Sequence, residues 1–219
     1  DDDHLVSGEG FNPKTGGIVS GDSILSDEEV AVKLQGYSFR MGSLCAALCH
    51  NSTIHKFDGQ WEAIGDPTDS ACAVFGWKVH GDLENLNEMF PRSYEFFFDA
   101  ERKRMTTINE INGETWVMSK GAAGGYRKST SRISSNGVVR DIEESDIERI
   151  MEVNHEMAAQ AMRVLALCGR RIKDEENTSD MDAMEKDLIF FGLVAIRDPP
   201  RGEVHEAIRI CKQAGIRVK

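Results

Sequence analysis

The chain has 219 residues, of which 37 are Asp or Glu and 26 are Lys or Arg, so its net charge is -11. A chain of this length suits one sizeable core with an appendage better than two equal domains. The acidic balance disfavours a nucleic-acid partner, and an anionic ligand would need a local group of cations. No apolar run approaches the ~20 residues that cross a bilayer, and the first residues lack the features of a signal peptide, so we expect this chain to be soluble.

The first third of the chain predicts loops followed by helices. Residues 1–25 are rich in Gly, Asp and Ser and favour short strands or loops. The sequence "SDEEVAVKLQ" opens with a capping-box pattern, and a second, apolar helix is expected over 38–49. After a short strand, "GDPTDSACAVFGWKV" predicts a third helix, which Asp66 caps and in which Pro67 takes the first position.

The middle of the chain predicts a sheet. "SYEFFFD", "KRMTTINEI" and "ETWVMSK" are short aromatic or β-branched runs, and Asn112-Gly113 between the last two is typical of a hairpin turn. A long helix over 145–162, beginning with "SDIE", is expected to cover the sheet. "RVLALCGRRI" and "DLIFFGLVAIRD" add two central strands, separated by a surface loop or short helix at 173–186. The predicted fold class is therefore α+β, with a twisted, mainly antiparallel sheet flanked by helices.

The cysteines favour a reducing compartment and a packing role. There are five, an odd number, at 45, 49, 72, 168 and 211. Cys45, Cys49 and His50 could be metal ligands, but their apolar neighbours favour a buried helix, in which a free Cys acts as a small hydrophobic residue.

The glycine-rich stretch "KGAAGGYRK" follows a predicted strand and raises the question of a phosphate-binding loop. A P-loop needs G-x-x-x-x-G-K-[ST], whereas here the lysine comes first and no Ser or Thr follows it. The other near match, "GFNPKTGG", has Pro13 where the second glycine would be needed. Neither segment is a P-loop.

Five segments in order resemble the P-type cation-transporting ATPases, with features of their Ca²⁺-pump-like branch. The segments are "GDPTDSA", "FDAERKRMT", "KGA", "RVLAL" and "GLVAIRDPPRGEVHEAIRICKQAGIRV". Each is weak alone, but their shared order and spacing match the family's nucleotide-binding (N) domain and its return into the phosphorylation domain. The resemblance implies a cytoplasmic domain of an integral membrane protein that transports a cation, with Ca²⁺ favoured by "DPPRGEV" and "CKQAGIRV".

The resemblance also implies the domain boundaries of the chain, its ligand and its partner domains. Residues 1–197 would be the N domain, and 198–219 a hinge with a partial phosphorylation-domain segment that contains an amphipathic helix. The hinge would consist of Asp198, Pro199, Pro200 and Arg201. The N domain would bind ATP as MgATP and deliver the γ-phosphate to an aspartate in a "DKTGT" motif, which this sequence lacks. The partners would be the phosphorylation and actuator domains of the same parent chain, and the fragment alone is expected to be inactive in turnover.

The aromatic and lysine residues of the implied nucleotide site come from two segments. Phe98 corresponds to the adenine-stacking phenylalanine, although strand alternation would place it on the same face as Phe96, as a core residue. Lys103 corresponds to a lysine that contacts the nucleotide, and its alternative is a solvated lysine in a charge run.

The "KGA" segment supplies two further residues of the implied nucleotide site, Lys120 and Gly121. Lys120 would line the pocket and Gly121 would let the backbone approach the base, with an exposed strand-end lysine as the alternative. The usual "KGAPE" is here "KGAAG", so we expect the start of the following helix to be loosened and frayed from Ala122 onward.

Three further residues complete the implied site. Asp69 stands where the family carries a glutamate that accepts from the adenine amino group, and it would reach the base through water or act indirectly, or else stabilise the first turn of its helix. Arg163 would contact the phosphates, or be a surface arginine at a strand end. Leu165 would form the apolar floor. The sequence leaves two other classes open, a stand-alone phosphate-ester hydrolase, for which "SDMDA" is a poor nucleophile motif, and a non-catalytic interaction module.

Overall fold

The computed structural model describes residues 3–135, 137–173, 176–197 and 202–217. Its helices are α1 Asp27–Lys33, α2 Tyr37–Leu48, α3 Pro67–His80, α4 Leu83–Met89, α5 Glu144–Ala159, α6 Met181–Met184 and α7 Gly202–Gln213. Its strands are β1 Leu5–Val6, β2 Ile18–Ser20, β3 Ser23–Ile24, β4 Thr53–Phe57, β5 Gln60–Ile64, β6 Arg92–Asp99, β7 Arg104–Ile111, β8 Glu114–Gly121, β9 Thr130–Ser135, β10 Val138–Asp141, β11 Arg163–Arg171 and β12 Leu188–Ile196. A single 3₁₀ turn covers Ala123–Tyr126.

A seven-stranded sheet organises the described residues, in the order β10-β9-β12-β11-β8-β7-β6. Every neighbouring pair is antiparallel except β12 with β9, which is parallel. The predicted α+β class with a mainly antiparallel sheet is confirmed, and β11 and β12 are central strands as the sequence predicts.

Two apolar clusters cover the two faces of this sheet. On one, which we call the helix-pair face, Met105, Met118 and Leu167 pack in one cluster with residues of α2 and α3. On the other, Ile108 and Val117 pack with the half-buried Ile150 of α5. The two layers follow from strand alternation, because neighbouring residues along β7 and β8 point to opposite faces.

Local signals in the sequence account for several element boundaries. Ser26 accepts from the N–H of Glu29 and donates its own N–H to that side chain, which confirms the capping box of α1. Asp66 accepts from the Thr68 N–H at 2.8 Å and begins α3, as expected. In the hairpin between β7 and β8, Asn112-Gly113 has φ values of 53° and 78°, which suit a type I′ turn.

Two predicted boundaries were wrong. Helix α5 begins at Glu144 rather than Ser145, because Glu143 and Asp146 form the capping box instead of "SDIE". After β8, the expected frayed helix is a single ordered 3₁₀ turn. Its end is anchored by the buried Tyr126, whose hydroxyl lies 2.7 Å from Ser119 Oγ.

Cys45, Cys49, Cys72 and Cys168 are buried, which confirms the packing interpretation. Across the described ranges no group of His, Cys, Asp and Glu side chains is arranged to hold a metal ion. Nor does any helix within them have the length and apolar character needed to cross a membrane. The four predicted hinge residues, Asp198 to Arg201, lie outside the described residues.

Candidate functional site

Several predicted site residues meet at one end of the sheet, on the helix-pair face. Lys120, near the end of β8, is opposite Met105 on β7 and Leu167 on β11. Leu165 lies two residues before Leu167 and therefore shares its face. Asp69 belongs to the first turn of α3, whose helix packs on this face. The fold thus brings together residues that are far apart in sequence.

Lys120 is a buried, paired cation. It is 4% exposed, and its Nζ lies 2.7 Å from Asp69 Oδ1. The same ammonium donates to the carbonyl of Cys49, just after α2. Asp69 Oδ2 accepts the N–H of Asn51 at 2.9 Å. The alternative of an exposed strand-end lysine is therefore wrong, and Asp69 does more than stabilise the start of its own helix.

The charge on Lys120 is maintained by its surroundings. Burial alone lowers the pKa of Lys120, because the charged form loses contact with water. The side chains of Cys49, Cys72 and Asp69 act in the opposite direction and together outweigh burial, so the pKa of Lys120 is raised. The ammonium consequently stays charged at neutral pH and fixes the orientation of the Asp69 carboxylate.

Phe98 lies at a β-bulge near the end of β6. The residues paired on either side are Phe96 with Thr106 and Asp99 with Arg104. Two residues, Phe97 and Phe98, therefore stand opposite the single residue Met105. Phe98 is 64% exposed, whereas Phe96 is half-buried and packs on the other face of the sheet. The alternative that Phe98 is a core residue like Phe96 was therefore wrong, and the extra residue of the bulge interrupts the regular alternation on which it depended.

Lys103 and Gly121 meet at the turn between β6 and β7. Lys103 is exposed, has a φ of 53°, and accepts the N–H of Ala122 at 3.0 Å through its carbonyl. A Cβ on Gly121 would lie 2.3 Å from the Lys103 carbonyl oxygen and 2.7 Å from Arg104 Cα. Packing within the chain therefore requires the glycine, a reason that the sequence did not indicate.

Arg163 connects the start of β11 to the start of α3. It is exposed, and its Nη1 donates to Thr68 Oγ1. Leu165 is half-buried and packs against the cluster on the helix-pair face. The structure shows Arg163 as an exposed side chain tethered at a strand end, and its contact with phosphates stays a prediction.

Arg92 was not identified from the sequence. It holds the segment just after α2, which in turn contacts Asp69. Its Nη2 donates to the carbonyls of Leu48 and His50, both at 2.7 Å, and its Nη1 donates to Asn51 Oδ1 at 2.7 Å. Arg92 thereby fixes the chain that presents the Asn51 N–H to Asp69. The sequence contains only a weak signal for this role. The end of a predicted helix implies backbone carbonyls without helical partners, but it does not show which distant side chain donates to them.

Together these side chains are suited to noncovalent binding of a base and its phosphates. Phe98 offers an exposed aromatic face, and Lys103 and Arg163 place two exposed cations at the same end of the sheet. Asp69 already accepts two hydrogen bonds, but an ionised carboxylate has about four acceptor positions. An adenine amino group could therefore still be accommodated, and the residues present fit an adenine nucleotide.

The fold and these residues define a module of the P-type ATPase class, and comparison with known proteins agrees. Residues 39–203 match the family model described as P-type ATPase, cytoplasmic domain N. The chain belongs to this family.

Its relatives include calcium pumps. The chain is 35% identical over 213 residues, 97% of its length, to the calcium-transporting ATPase of Bacillus subtilis, and covers 23% of that protein. It is 32% identical over 170 residues, 78% of its length, to calcium-transporting ATPase 1 of Lactococcus lactis, and covers 19% of it. It is also 38% identical over 176 residues, 78% of its length, to the sodium/potassium exporting P-type ATPase cta3 of Schizosaccharomyces pombe, and covers 17% of it. The chain thus spans less than a quarter of the length of these relatives.

Proposed function

We propose that this chain binds ATP, as MgATP, and presents its γ-phosphate to an aspartate in another domain of a longer cation-transporting ATPase. The observation that carries the proposal is Phe98, an exposed aromatic ring at a bulge of β6, two strands from Lys120 of the anchored Asp69–Lys120 pair. Exposing a large aromatic side chain on an edge strand has no packing benefit, whereas it suits stacking on a base.

Each site residue has a role that its surroundings support. Phe98 stacks on the adenine, and Leu165 supplies apolar surface below it. Asp69 accepts from the base directly or through water, and Lys120 acts mainly by holding Asp69, because its own ammonium is buried and already paired. Lys103 and Arg163 attract the phosphates, and Gly121 keeps the turn that carries Lys103 against β8.

The parent protein follows from the same proposal. It is a membrane enzyme that transports a cation, with Ca²⁺ favoured because several relatives are named calcium-transporting ATPases. Phosphoryl transfer to an aspartate supplies the chemistry, and Mg²⁺ arrives with the nucleotide. The phosphorylation and actuator domains of the same chain are its partners, residues 198–219 lead into the first of them, and this chain alone does not turn over ATP.

The hydrolase alternative gains no support from the described residues. It needs a nucleophilic aspartate at the end of a strand, and "SDMDA" instead begins α6. Asp180 accepts the N–H of Ala183 at 3.1 Å, which is an ordinary helix cap.

The test is a titration with MgATP, followed by NMR amide shifts, of the original chain, Phe98→Ala and Phe57→Ala. Phe57 is a matched control, since it is also 64% exposed but lies on the β4–β5 hairpin. Base stacking is worth about 1–3 kcal/mol, so Phe98→Ala should weaken binding by about 5- to 150-fold. Phe57→Ala should bind as the original chain does. No saturable shift in the original chain, or equal affinity in both variants, would refute the proposal.

A further inference from the structure

The bulge that carries Phe98 lies on an edge strand and needs support from outside the sheet. Phe97 and Phe98 are 70% and 64% exposed, so packing around their rings does little to hold them. Among the described strands β6 has a neighbour on one side only, namely β7, and the bulge interrupts that pairing. A bulge with so few constraints can adopt several conformations unless other contacts fix its backbone.

Arg102 supplies those contacts from the turn that follows the bulge. Its Nη2 donates to the carbonyl of Phe97 at 2.8 Å, and its Nη1 donates to Glu185. Its backbone N–H donates to Asp99 Oδ1 at 2.8 Å, which closes the turn on itself. One planar guanidinium therefore connects the bulge to a residue that lies just before β12.

Glu185 is a rigid anchor for this arginine. It is 8% exposed, and its Oε1 also accepts from the Thr106 hydroxyl at 2.7 Å. Its Oε2 lies 3.7 Å from Arg104 Nε, so two guanidinium groups surround the carboxylate. Removing water from a carboxylate is costly, and here the two guanidinium groups and the Thr106 hydroxyl offset that cost.

We propose that the Arg102–Glu185 ion pair is a positioning device that fixes the bulge, and with it the Phe98 ring and Lys103, in the geometry that receives the nucleotide. The inference rests on the proposed function, because the pair positions two residues of the proposed nucleotide site. The pair itself makes no contact with the ligand. Arg102 holds the carbonyl that directly precedes Phe98 and lies directly before Lys103, so a shift of its side chain moves both.

The decisive variant is Arg102→Lys, with Glu185→Gln as a second and Arg140→Lys as a control. A lysine keeps the positive charge, so attraction of the phosphates is preserved, but one ammonium cannot replace two guanidinium nitrogens that reach different acceptors. Arg140 also uses two nitrogens, at 2.6 and 2.7 Å from the Asp146 carboxylate, but lies on β10 at the opposite edge of the sheet. Two quantities are measured for each variant, the Kd for MgATP and the NMR signals of the Phe98 ring without nucleotide.

We expect Arg102→Lys and Glu185→Gln to weaken MgATP binding by about 3- to 10-fold, a part of the loss expected when stacking disappears completely. The nucleotide-free Phe98 ring signals should shift in both variants, and Arg140→Lys should change neither quantity. Unchanged Phe98 signals, or an unchanged Kd, in either folded variant would overturn the inference.

The two proposals fail separately. If the original chain shows no saturable MgATP binding, the proposed function is refuted, and the nucleotide-free Phe98 signals still decide whether the pair positions the ring. If Phe98→Ala loses binding while Arg102→Lys and Glu185→Gln keep it, only the positioning role is refuted.

Discussion

Asp69 and Lys120 form a pair that stabilises the fold and also belongs to the proposed binding site. The pair joins the first turn of α3 to the end of β8, and each partner also bonds to the segment just after α2. A buried ion pair gains little net stability over apolar residues, but removing one partner leaves an uncompensated charge. Each half of the pair therefore depends on the other.

This dependence predicts a non-additive double-mutant cycle. Lys120→Met should lower the free energy of unfolding by about 2–3 kcal/mol, less than for a fully buried pair because Asp69 is partly exposed. Asp69→Asn should also destabilise, since it leaves the Lys120 ammonium buried without its counter-charge. The double variant should lose clearly less than the sum of the two, as measured by urea denaturation. Additive losses would show that the two side chains are not coupled.

Gly121 allows a test of the close contact between β8 and the Lys103 backbone, and Gly124 provides a control three residues away. Its missing Cβ leaves room for the Lys103 carbonyl, which would lie 2.3 Å from an added methyl group. Gly121→Ala should therefore destabilise the chain by about 2–3 kcal/mol and displace the turn that carries Lys103. Gly124→Ala has no atom within 4 Å of the new methyl group, and its stability should change little. Thermal denaturation of both variants distinguishes this steric requirement from a general cost of replacing glycine.

Residue types could be predicted from the sequence better than their environments. Phe98 and Lys120 were identified, but the exposure of Phe98 depends on a β-bulge, and a bulge adds one residue without leaving a clear sequence pattern. The burial of Lys120 depends on the Cys49 carbonyl and on Asp69, which are brought close only by the packing of α2 and α3 on the sheet. Contacts between distant segments are not encoded in the spacing of either segment.

Among the elements, α3 ties local sequence signals directly to the site. Asp66 accepts the N–H groups of Thr68 and Asp69, so it sets the first turn, which carries the proposed base-contacting carboxylate. Burial alone raises the pKa of Asp66, but these hydrogen bonds and the charge of Arg163 outweigh it, so the pKa of Asp66 is lowered. The ionised form is therefore the better cap.

Asp66→Ala should lower the free energy of unfolding by about 1 kcal/mol at pH 7, because two N–H groups lose their acceptor. Asp66→Asn should keep most of that stability, since the amide oxygen can also cap. The pKa of Asp66 is lowered in the folded chain, so the benefit of its charge is present above its unfolded pKa and is lost as the pH falls through the folded pKa. Urea denaturation from pH 7 to pH 3 should show a smaller acid loss for Asn than for the original chain. Equal stability of the Ala and Asn variants would contradict the capping role.

Elements with a local cause were predicted well, and those with a distant cause were not. The hairpin at Asn112-Gly113 follows from the positive φ that both residues tolerate. The 3₁₀ turn after β8 depends instead on the burial of Tyr126 in the core, where its hydroxyl lies 2.7 Å from Ser119 Oγ on β8. The start of α5, which has a local cause, was predicted to within one residue, and Glu143 rather than a serine forms its capping box with Asp146.

The whole molecule combines a sheet with two covered faces and a proposed binding site at one end of it, which extends from the central strand β11 to the edge strand β6. The core clusters on both faces involve the central strands β8 and β11, whereas the proposed base platform is on β6, the last strand of the sheet. This separation lets side chains at the edge stay exposed without loss of the core. At the exposed Phe98, nucleotide affinity can therefore be changed with little effect on stability, whereas changes at Asp69, Lys120 or Gly121 should affect both.

Two buried histidines provide the last prediction, which concerns the stability of the whole chain in mild acid. Burial is the main cause that lowers the pKa of His50 to about 4, with the Lys120 and Arg92 charges acting in the same direction and Asp69 against it. Burial also lowers the pKa of His80 to about 4, and its Nε2 lies 2.9 Å from Ser43 Oγ. Both side chains are therefore neutral in the folded chain at a pH where the unfolded chain has begun to protonate them.

The direction of the effect follows from proton binding. Between the ordinary histidine value of about 6.5 and the folded value of about 4, the unfolded chain binds more protons than the folded one, so the free energy of unfolding falls as the pH is lowered. Each histidine contributes a slope of up to about 1.4 kcal/mol per pH unit. Urea denaturation from pH 7.5 to pH 4 should show a steep loss that is reduced in His50→Gln and in His80→Gln. His155→Gln is the control, because His155 is exposed on α5, and its slope should match that of the original chain. An unchanged slope in both buried variants would mean that neither histidine is kept neutral by the fold.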